Sequence, residues 1–423
     1  MKKTLKIAIT GTKGKTTTAN IISQILQKYD FDRVLLVDTT GHFINGQRRS
    51  TLQDSKDVWG LVPSVAPGRY LYEFLGRNDN EKTVAVMETS LGCSTLSGMC
   101  YAMHHVGIFL NVFEDHIGSS KRINSQEDIV TAKKFIISRI LRGGYAVLNA
   151  DDPYVMSVVD EIPTDRDIFP IFFGLNISKS TLPSGYRNAA YLTIKENCIT
   201  YIYNNEEVVI VDVRDLSWSF QGLYTPSLYN ALAVCAGVIA TFKGSIPKNL
   251  EDHIKAAQLD EYGGRITRFT NSDGVEIIAD YAHEKKSLTE IARLAQKLKK
   301  PGGKVYGIVR LAYDRTDELI QDTGFAIAGE FDYLIVYDKI DGHWKKPNKH
   351  LQFDRFTQEV GKVSKTLYDA IHTKNTNVER ILREDEAIAK AAQMAKKGDV
   401  VVSIVGDDIV RSINFIKEKF NID

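Results

Sequence analysis

The chain has 423 residues, enough for two or three domains, each with its own core. Its 54 Lys and Arg stand against 53 Asp and Glu, so a net charge of +1 offers no broad basic field for nucleic acid or an anionic membrane surface. No apolar run approaches the length of a membrane-spanning helix.

Met1-Lys-Lys3 opens like a signal peptide, but Lys6 breaks the run and a glycine turn arrives too early for an apolar h-region. The four cysteines (Cys93, Cys100, Cys198 and Cys235) are scattered, with no C-x-x-C pair and no matched histidines. They read as thiols in a reducing cytosol, so a cytoplasmic protein is expected and zinc is not.

Leu5 to Ile9 is an apolar strand that breaks into Thr10-Gly-Thr-Lys-Gly-Lys-Thr-Thr17, followed by the helical pattern Ala19 to Leu26. Strand, glycine turn and helix N-terminus together make a phosphate site, because free backbone N–H groups and the positive helix end converge there. Lys15 supplies charge to the β- and γ-phosphates, and the Thr16 hydroxyl can ligate Mg²⁺. The general pattern G-x-x-x-x-G-K-[ST] calls for glycine at position 9, where this chain has Ile9.

Arg33 to Asp38 is a continuous apolar run, typical of a strand buried on both faces, and Thr39 to Gly46 reads as polar and turn-like. Further strands are expected at Thr83–Met87, ending on Glu88, and at Val106–Leu110, ending on Asn111 to His116. Helical spacing runs from Ile129 to Ile140, and Gly144–Asn149 is another strand. This alternation means a doubly wound, parallel α/β sheet with its ligands beyond the carboxyl ends of the strands, where Thr16, Glu88 and His116 all fall.

Residues from about 170 to 220 read as an antiparallel β appendage or side sheet, with a turn at Asn204-Asn205, and a helix returns over Pro226–Ala240. A break falls near Glu261 to Arg265, which divides the chain into residues 1–261 and 262–423. Beyond it the alternation restarts at Val275–Ala279, Lys304–Val309, Tyr333–Tyr337 and Asp399–Val405, with a helix over Glu384–Lys397. This second part reads as a Rossmann-like domain.

At these residues the chain resembles the Mur ligase family, ATP-dependent ligases that join an amino acid to a carboxylate. Gly11-Thr-Lys-Gly-Lys-Thr-Thr17 is similar to that family's own phosphate loop, which lacks the first glycine of the general pattern. Glu88, Asn111 and Asp115-His116 match its central-domain motifs, Lys133 the lysine that many members carbamylate, and Asn149-Ala-Asp-Asp-Pro153 a characteristic stretch. Asn230 matches the asparagine at adenine, Arg265 the arginine at the domain junction, and Asp280-Tyr-Ala-His283 the C-terminal nucleotide motif. The Asn-Pro that usually follows is Glu284-Lys285 here.

Within the family, Thr39 to Gly46, Glu114 to Gly118 and Asp314 to Glu318 with Phe331-Asp332 are most similar to the ligase half of cyanophycin synthetase. Archaeal pseudomurein peptide ligases and poly-γ-glutamate synthases are other relatives to weigh. The loop opens at residue 11, so the domain with which muramyl ligases hold a UDP group is expected to be absent, as is the ATP-grasp half of cyanophycin synthetase.

The resemblance implies an ADP-forming reaction through an acyl phosphate. Gly11, Thr12, Lys13, Gly14, Lys15, Thr16 and Thr17 would hold phosphate. Thr16 and Glu88 would hold one Mg²⁺, and His116 and a carbamylated Lys133 a second, so that Lys15, Glu88, His116 and Lys133 carry the chemistry. Asn230, Arg265, Asp280 and His283 complete the nucleotide site, with closure about Glu261 to Gly264 timing the reaction. Expected partners are a small amino acid and a carboxylate-bearing peptide or polymer, with a separate partner enzyme as an option. Asp314, Arg315, Asp338 and Asp341 are candidates for the amino-acid site. The competing readings are a P-loop NTPase or kinase without ligase activity, and a non-catalytic nucleotide-binding regulator.

Overall fold

A computed structural model describes residues 4–51, 63–75, 82–114, 117, 122–259, 263, 265–313, 315–338, 359, 361–406 and 408–422. The chain divides into two compact units, Met1–Phe113 with Ser125–Gln258, and Glu114–Asn124 with Leu259–Asp423. No helix among the described residues is long and apolar enough to cross a membrane.

In the first unit β1 (Leu5–Thr10) leads into α1 (Lys15–Leu26), β2 (Arg33–Val37) and a hairpin of β3 (Gly41–Ile44) and β4 (Gln47–Thr51). Next come α2 (Pro67–Leu75), β5 (Thr83–Glu88), β6 (His104–Phe109), α3 (Gln126–Lys133) and α4 (Phe135–Ser138). The unit continues through β7 (Ile140–Asn149), α5 (Pro153–Met156), β8 (Phe169–Phe173), β9 (Ala190–Lys195), β10 (Cys198–Tyr203) and β11 (Glu206–Asp212). It closes with α6 (Thr225–Thr241) and α7 (Leu250–Ala256).

All the strands share one sheet in the order β11-β10-β9-β8-β7-β6-β1-β5-β2-β3-β4. β1 lies between β5 and β6, parallel to both. β2 lies beyond β5 on one side and β7 beyond β6 on the other, so the strand order reverses at β1. In such sheets the crevice at the reversal, past the carboxyl ends, is where ligands bind. The β5 sequence TVAVME is buried throughout, because helices cover both faces and leave no position that must meet water. From α1, Ala19, Ile21, Ile22, Ile25 and Leu26 are buried, and α6 is buried almost continuously from Asn230 to Thr241.

Three local expectations give way to the tertiary structure. Thr39 to Gly46 is more than a turn: β3 pairs antiparallel with β2, and Asn45 and Gly46, both at positive φ, turn the chain into β4. The Ile129–Ile140 helix breaks at Lys134 and ends at Ser138, with Ile140 already in β7. Its last carbonyls are drawn off by His104, whose ring Nε2 bonds Ile136 O at 2.7 Å and whose backbone N–H bonds Arg139 O at 3.0 Å. The antiparallel meander β9-β10-β11 is no side sheet. β9 pairs parallel with β8, which makes the meander an extension of the main sheet.

The second unit contains β12 (Thr267–Thr270), β13 (Glu276–Asp280), α8 (Lys285–Leu298), β14 (Val305–Val309), α9 (Asp317–Ile327) and β15 (Tyr333–Val336). They are followed by α10 (Lys362–His372), β16 (Val378–Arg380), α11 (Glu384–Met394), β17 (Val400–Ile404) and α12 (Ile409–Phe420). The sheet order is β12-β13-β17-β14-β15-β16, parallel except for the antiparallel β12. Val275, Ile277, Ile308, Ile388, Val401 and Ile413 belong to the core on one face of this sheet.

Candidate active site

The loop from Gly11 to Gly14 joins β1 to α1 and rests on the chain just past β6. Asn111 Oδ1 accepts from the backbone N–H of Thr12 (3.0 Å) and of Lys13 (2.8 Å), while its Nδ2 donates to Lys13 O at 3.1 Å. Asn111 is fixed in turn by the Asn149-Ala-Asp-Asp-Pro153 stretch. Asn149 Nδ2 donates to Leu110 O at 2.8 Å, and Asp152 Oδ2 accepts from Val112 N at 2.8 Å while Oδ1 caps α5.

Two glycines are required by this fit. A Cβ at Gly11 would lie 2.9 Å from the Leu110 Cβ. Gly14, at φ +83°, precedes the first residue of α1, and a Cβ there would overlap Asn230 Oδ1. Asn230, buried on α6, therefore packs directly on the loop. Its neighbour Tyr229 is tied by its hydroxyl to Asp151 Oδ2 at 2.9 Å, a further use of the same acidic stretch.

Glu88 is the last residue of β5 and only 2% exposed. Its Oε2 accepts from Thr16 Oγ1 at 2.8 Å and from Thr39 N at 3.2 Å, and its Oε1 accepts from Thr39 Oγ1 at 2.8 Å. Lys15 Nζ stands 4.0 Å from Oε1 and donates to Thr12 O at 2.9 Å, folded back over the loop. Lys133, buried at the end of α3, donates from Nζ to Gly11 O at 2.9 Å and to Thr10 Oγ1 at 3.5 Å. The Lys15-Thr16 pair, Glu88 and Lys133, far apart in the chain, thus meet at one loop. His116 with Asp115 lies outside the described residues.

Thr39 as the main holder of Glu88 escaped sequence reasoning, as did Asp38 behind it. Asp38 follows β2 as Glu88 ends β5, and its Oδ1 accepts from Thr40 N (2.7 Å), Thr40 Oγ1 (2.7 Å) and Gly41 N (3.1 Å). Burial, and then repulsion by the Glu88 carboxylate, push the Asp38 carboxyl up to about 6 against these bonds. The available signal was a carboxylate at the same place in two adjacent apolar strands.

The oxygens of Thr16 and Glu88 suit a hard divalent cation. In an octahedron with metal–oxygen bonds of about 2.0–2.1 Å, neighbouring ligand oxygens sit about 2.8–3.0 Å apart. The 2.8 Å between Thr16 Oγ1 and Glu88 Oε2 matches that spacing.

In the second unit, Asp280 ends β13 and its Oδ2 accepts from Ile266 N at 2.9 Å. His283 Nδ1 bonds Tyr281 O at 2.7 Å, and the two rings lie 5.3 Å apart. The Arg265 and Arg310 guanidiniums lie 5.0 and 4.6 Å from the Tyr281 ring centre, so Arg265, Asp280 and His283 gather at one end of this sheet. Glu284 caps α8 through Lys286 N (2.7 Å) and Ser287 N (2.8 Å), so the turn into the helix has an acceptor. Arg315 and Asp338 are buried, while Asp314, Asp341, Glu261 and Gly264 lie outside the described residues.

The cyanophycin synthetase of Crocosphaera subtropica is 26% identical over 418 residues, covering 98% of this chain but 44% of the relative's length. The chain therefore spans less than half of that protein. The UDP-N-acetylmuramoyl-L-alanyl-D-glutamate–2,6-diaminopimelate ligase of Clostridioides difficile is 25% identical, covering 98% of this chain and 76% of the relative. Among solved structures, a bifunctional folylpolyglutamate synthase/dihydrofolate synthase with Mn, AMPPNP and L-glutamate bound superposes with a TM-score of 0.66 at 14% identity. That match covers 97% of this chain and 88–89% of related solved chains of that name, 89% in this case, and it speaks for the fold. The family model for the Mur ligase middle domain matches residues 9–238, and that for the Mur ligase glutamate ligase domain matches residues 264–404. The chain belongs to the Mur ligase family.

Proposed function

We propose that this chain is an ATP-dependent, ADP-forming ligase that joins a carboxylate to the amine of an amino acid. The observation that carries the reading is the convergence of Lys15, Thr16, Glu88 and Lys133 on the Gly11–Gly14 loop. Its relatives include a cyanophycin synthetase and a UDP-N-acetylmuramoyl-L-alanyl-D-glutamate–2,6-diaminopimelate ligase, and the structure of the similar folylpolyglutamate synthase/dihydrofolate synthase holds Mn, AMPPNP and L-glutamate.

A carboxylate is a poor electrophile, so the proposed reaction first moves the γ-phosphoryl group of ATP onto a carboxylate oxygen, giving an acyl phosphate and ADP. The neutral amine then attacks the carbonyl carbon. The tetrahedral intermediate expels phosphate, and the nitrogen loses a proton to give the amide. Phosphoryl transfer needs positioning and charge neutralisation more than covalent help. Lys15 turns from Thr12 O to the β- and γ-phosphates, which also meet the first-turn N–H groups of α1.

Thr16 and Glu88 would hold one Mg²⁺, and His116 with a carbamylated Lys133 a second. Such ions, when bound, neutralise the charge spreading over the transferred group. As an ammonium Lys133 repels a cation, whereas its carbamate presents anionic oxygen. Asn230 would contact the adenine, and Arg265, Asp280 and His283 the rest of the nucleotide. The substrates are a small amino acid and a carboxylate-bearing peptide or polymer, with Arg315 and Asp338 as candidates for the amino-acid site.

The test is ADP and phosphate release from the full chain across a panel of amino acids and acidic peptides. Release accelerated only by a matched pair, with labelled carboxylate oxygen passing into phosphate, is the expected result. Release that no pair accelerates sinks the ligase reading, and unlabelled phosphate sinks the acyl phosphate.

A further inference from the structure

We infer that Asp38 is a positioning residue that sets the affinity of the Glu88–Thr16 pair for a divalent cation, an inference that rests on the ligase reading above. Val37 and Met87 are partners in the parallel β2–β5 register, so the next residues, Asp38 and Glu88, emerge side by side. Asp38 is fully buried. One of its oxygens, Oδ1, closes a tight turn through Thr40 N, Thr40 Oγ1 and Gly41 N. That turn aims Thr39, whose N–H and hydroxyl reach both oxygens of Glu88.

The other oxygen, Oδ2, is buried with no hydrogen-bond partner among the described residues. Closing the turn does not require it, because the single carbonyl oxygen of an asparagine would accept the same three bonds. What aspartate adds is negative charge next to the Glu88 carboxylate. Two buried carboxylates side by side repel each other, and a fold that only needed the turn gains nothing from that repulsion. A divalent cation on Glu88 and Thr16 converts the repulsion into attraction for both groups. The charge of Asp38 thus deepens the potential that the cation feels, while the Thr39 turn keeps Glu88 pointed at Thr16.

The experiment uses Mn²⁺ and ADP as probes on the full chain, following the loss of the free Mn²⁺ spin signal, with the ligand-free thermal midpoint measured alongside. Asp38→Asn keeps shape and acceptor but removes the charge. The expected result is an increase of about tenfold in the Mn²⁺ concentration for half-saturation, the usual scale for losing an outer-shell partner, without a lower thermal midpoint. Thr39→Val, which removes one donor to Glu88 and leaves Asp38 alone, is expected to weaken Mn²⁺ about threefold.

Wild-type half-saturation in Asp38→Asn overturns the inference, as does a thermal midpoint that falls in step with affinity. If Asp38→Asn fails to fold, Thr39→Val with unaltered Mn²⁺ binding overturns it instead. Wild-type protein that binds no Mn²⁺ with ADP overturns the ligase reading itself, which separates the two failures.

Discussion

Both units bury acids at the ends of their elements, Glu88 closing β5, Asp280 closing β13 and Glu384 opening α11, yet they surround them differently. In the second unit the acids are bound chiefly to structural groups. Glu384, 1% exposed, accepts from Gly406 N at 2.8 Å and Ser412 Oγ at 2.5 Å and pairs with Arg411 at 3.2 Å, while Asp280 accepts from Ile266 N. In the first unit Glu88 is held by two threonine hydroxyls, one backbone N–H and a lysine 4.0 Å away. Glu88 and Glu384 each accept one backbone N–H together with hydroxyls and have a cation beside them, so the kind of donor does not separate the two. What separates them is where the donors sit: Thr16 and Lys15 belong to the glycine loop and can turn from Glu88 to a cation or a phosphate. Burial alone does not mark a functional acid; the place of its donors in the fold does.

The sharpest challenge to that contrast is Lys15→Ala. It is expected to lower ATP turnover about a thousandfold, the scale of losing one preorganised charge at a phosphoryl group, while urea unfolding is nearly unchanged. Intact turnover with lost stability would reverse the assignment of roles.

A second test asks whether the first unit also contains a buried titratable group with a purely structural role. Burial pushes the His104 imidazole down to about 4, against the raising effect of its bond to Ile136 O. A group with a depressed folded pKa stabilises the fold above its unfolded value of about 6.5, and that stability is lost as pH falls through about 4. The loss amounts to about 3 kcal/mol. Urea melts at pH 7 and pH 4 should show that loss in wild type and a smaller one in His104→Gln.

Glu384→Ala is expected to cost about 2 kcal/mol by stranding buried donors, seen in the urea midpoint, with the Mn²⁺–ADP affinity of the first unit preserved. The smallest effect is expected for Asn111→Ala. Releasing Thr12 N and Lys13 N loosens the loop and raises KM for ATP about tenfold, or about 1.4 kcal/mol. No change there would mean that the loop holds its shape without the β6 end.

Much of this arrangement was legible in the sequence. The apolar runs ending on Glu88 and Asn111, and the glycine–lysine–threonine turn after β1, are local signals, since strand and turn preferences depend on a few neighbouring residues. Positions further from such signals were not. Asp38 looked like the end of a strand and Thr39 like part of a turn, because nothing local says that β2 lies against β5. The Ile129–Ile140 periodicity was helical throughout, and only His104, more than thirty residues upstream at Ile136, takes the carbonyl that helps to end it.

The sequence by itself determined most of the elements, the glycine–lysine–threonine turn after β1 and the family, because these rest on short-range periodicity, on backbone freedom at glycine and on recognisable motifs. The tertiary structure alone decided that Asp38 stands beside Glu88, that Thr39 clamps it, and that the Tyr191–Val211 meander joins the main sheet. The reason is that strand order and register are fixed by long-range packing, and a shift of one residue turns every side chain to the opposite face.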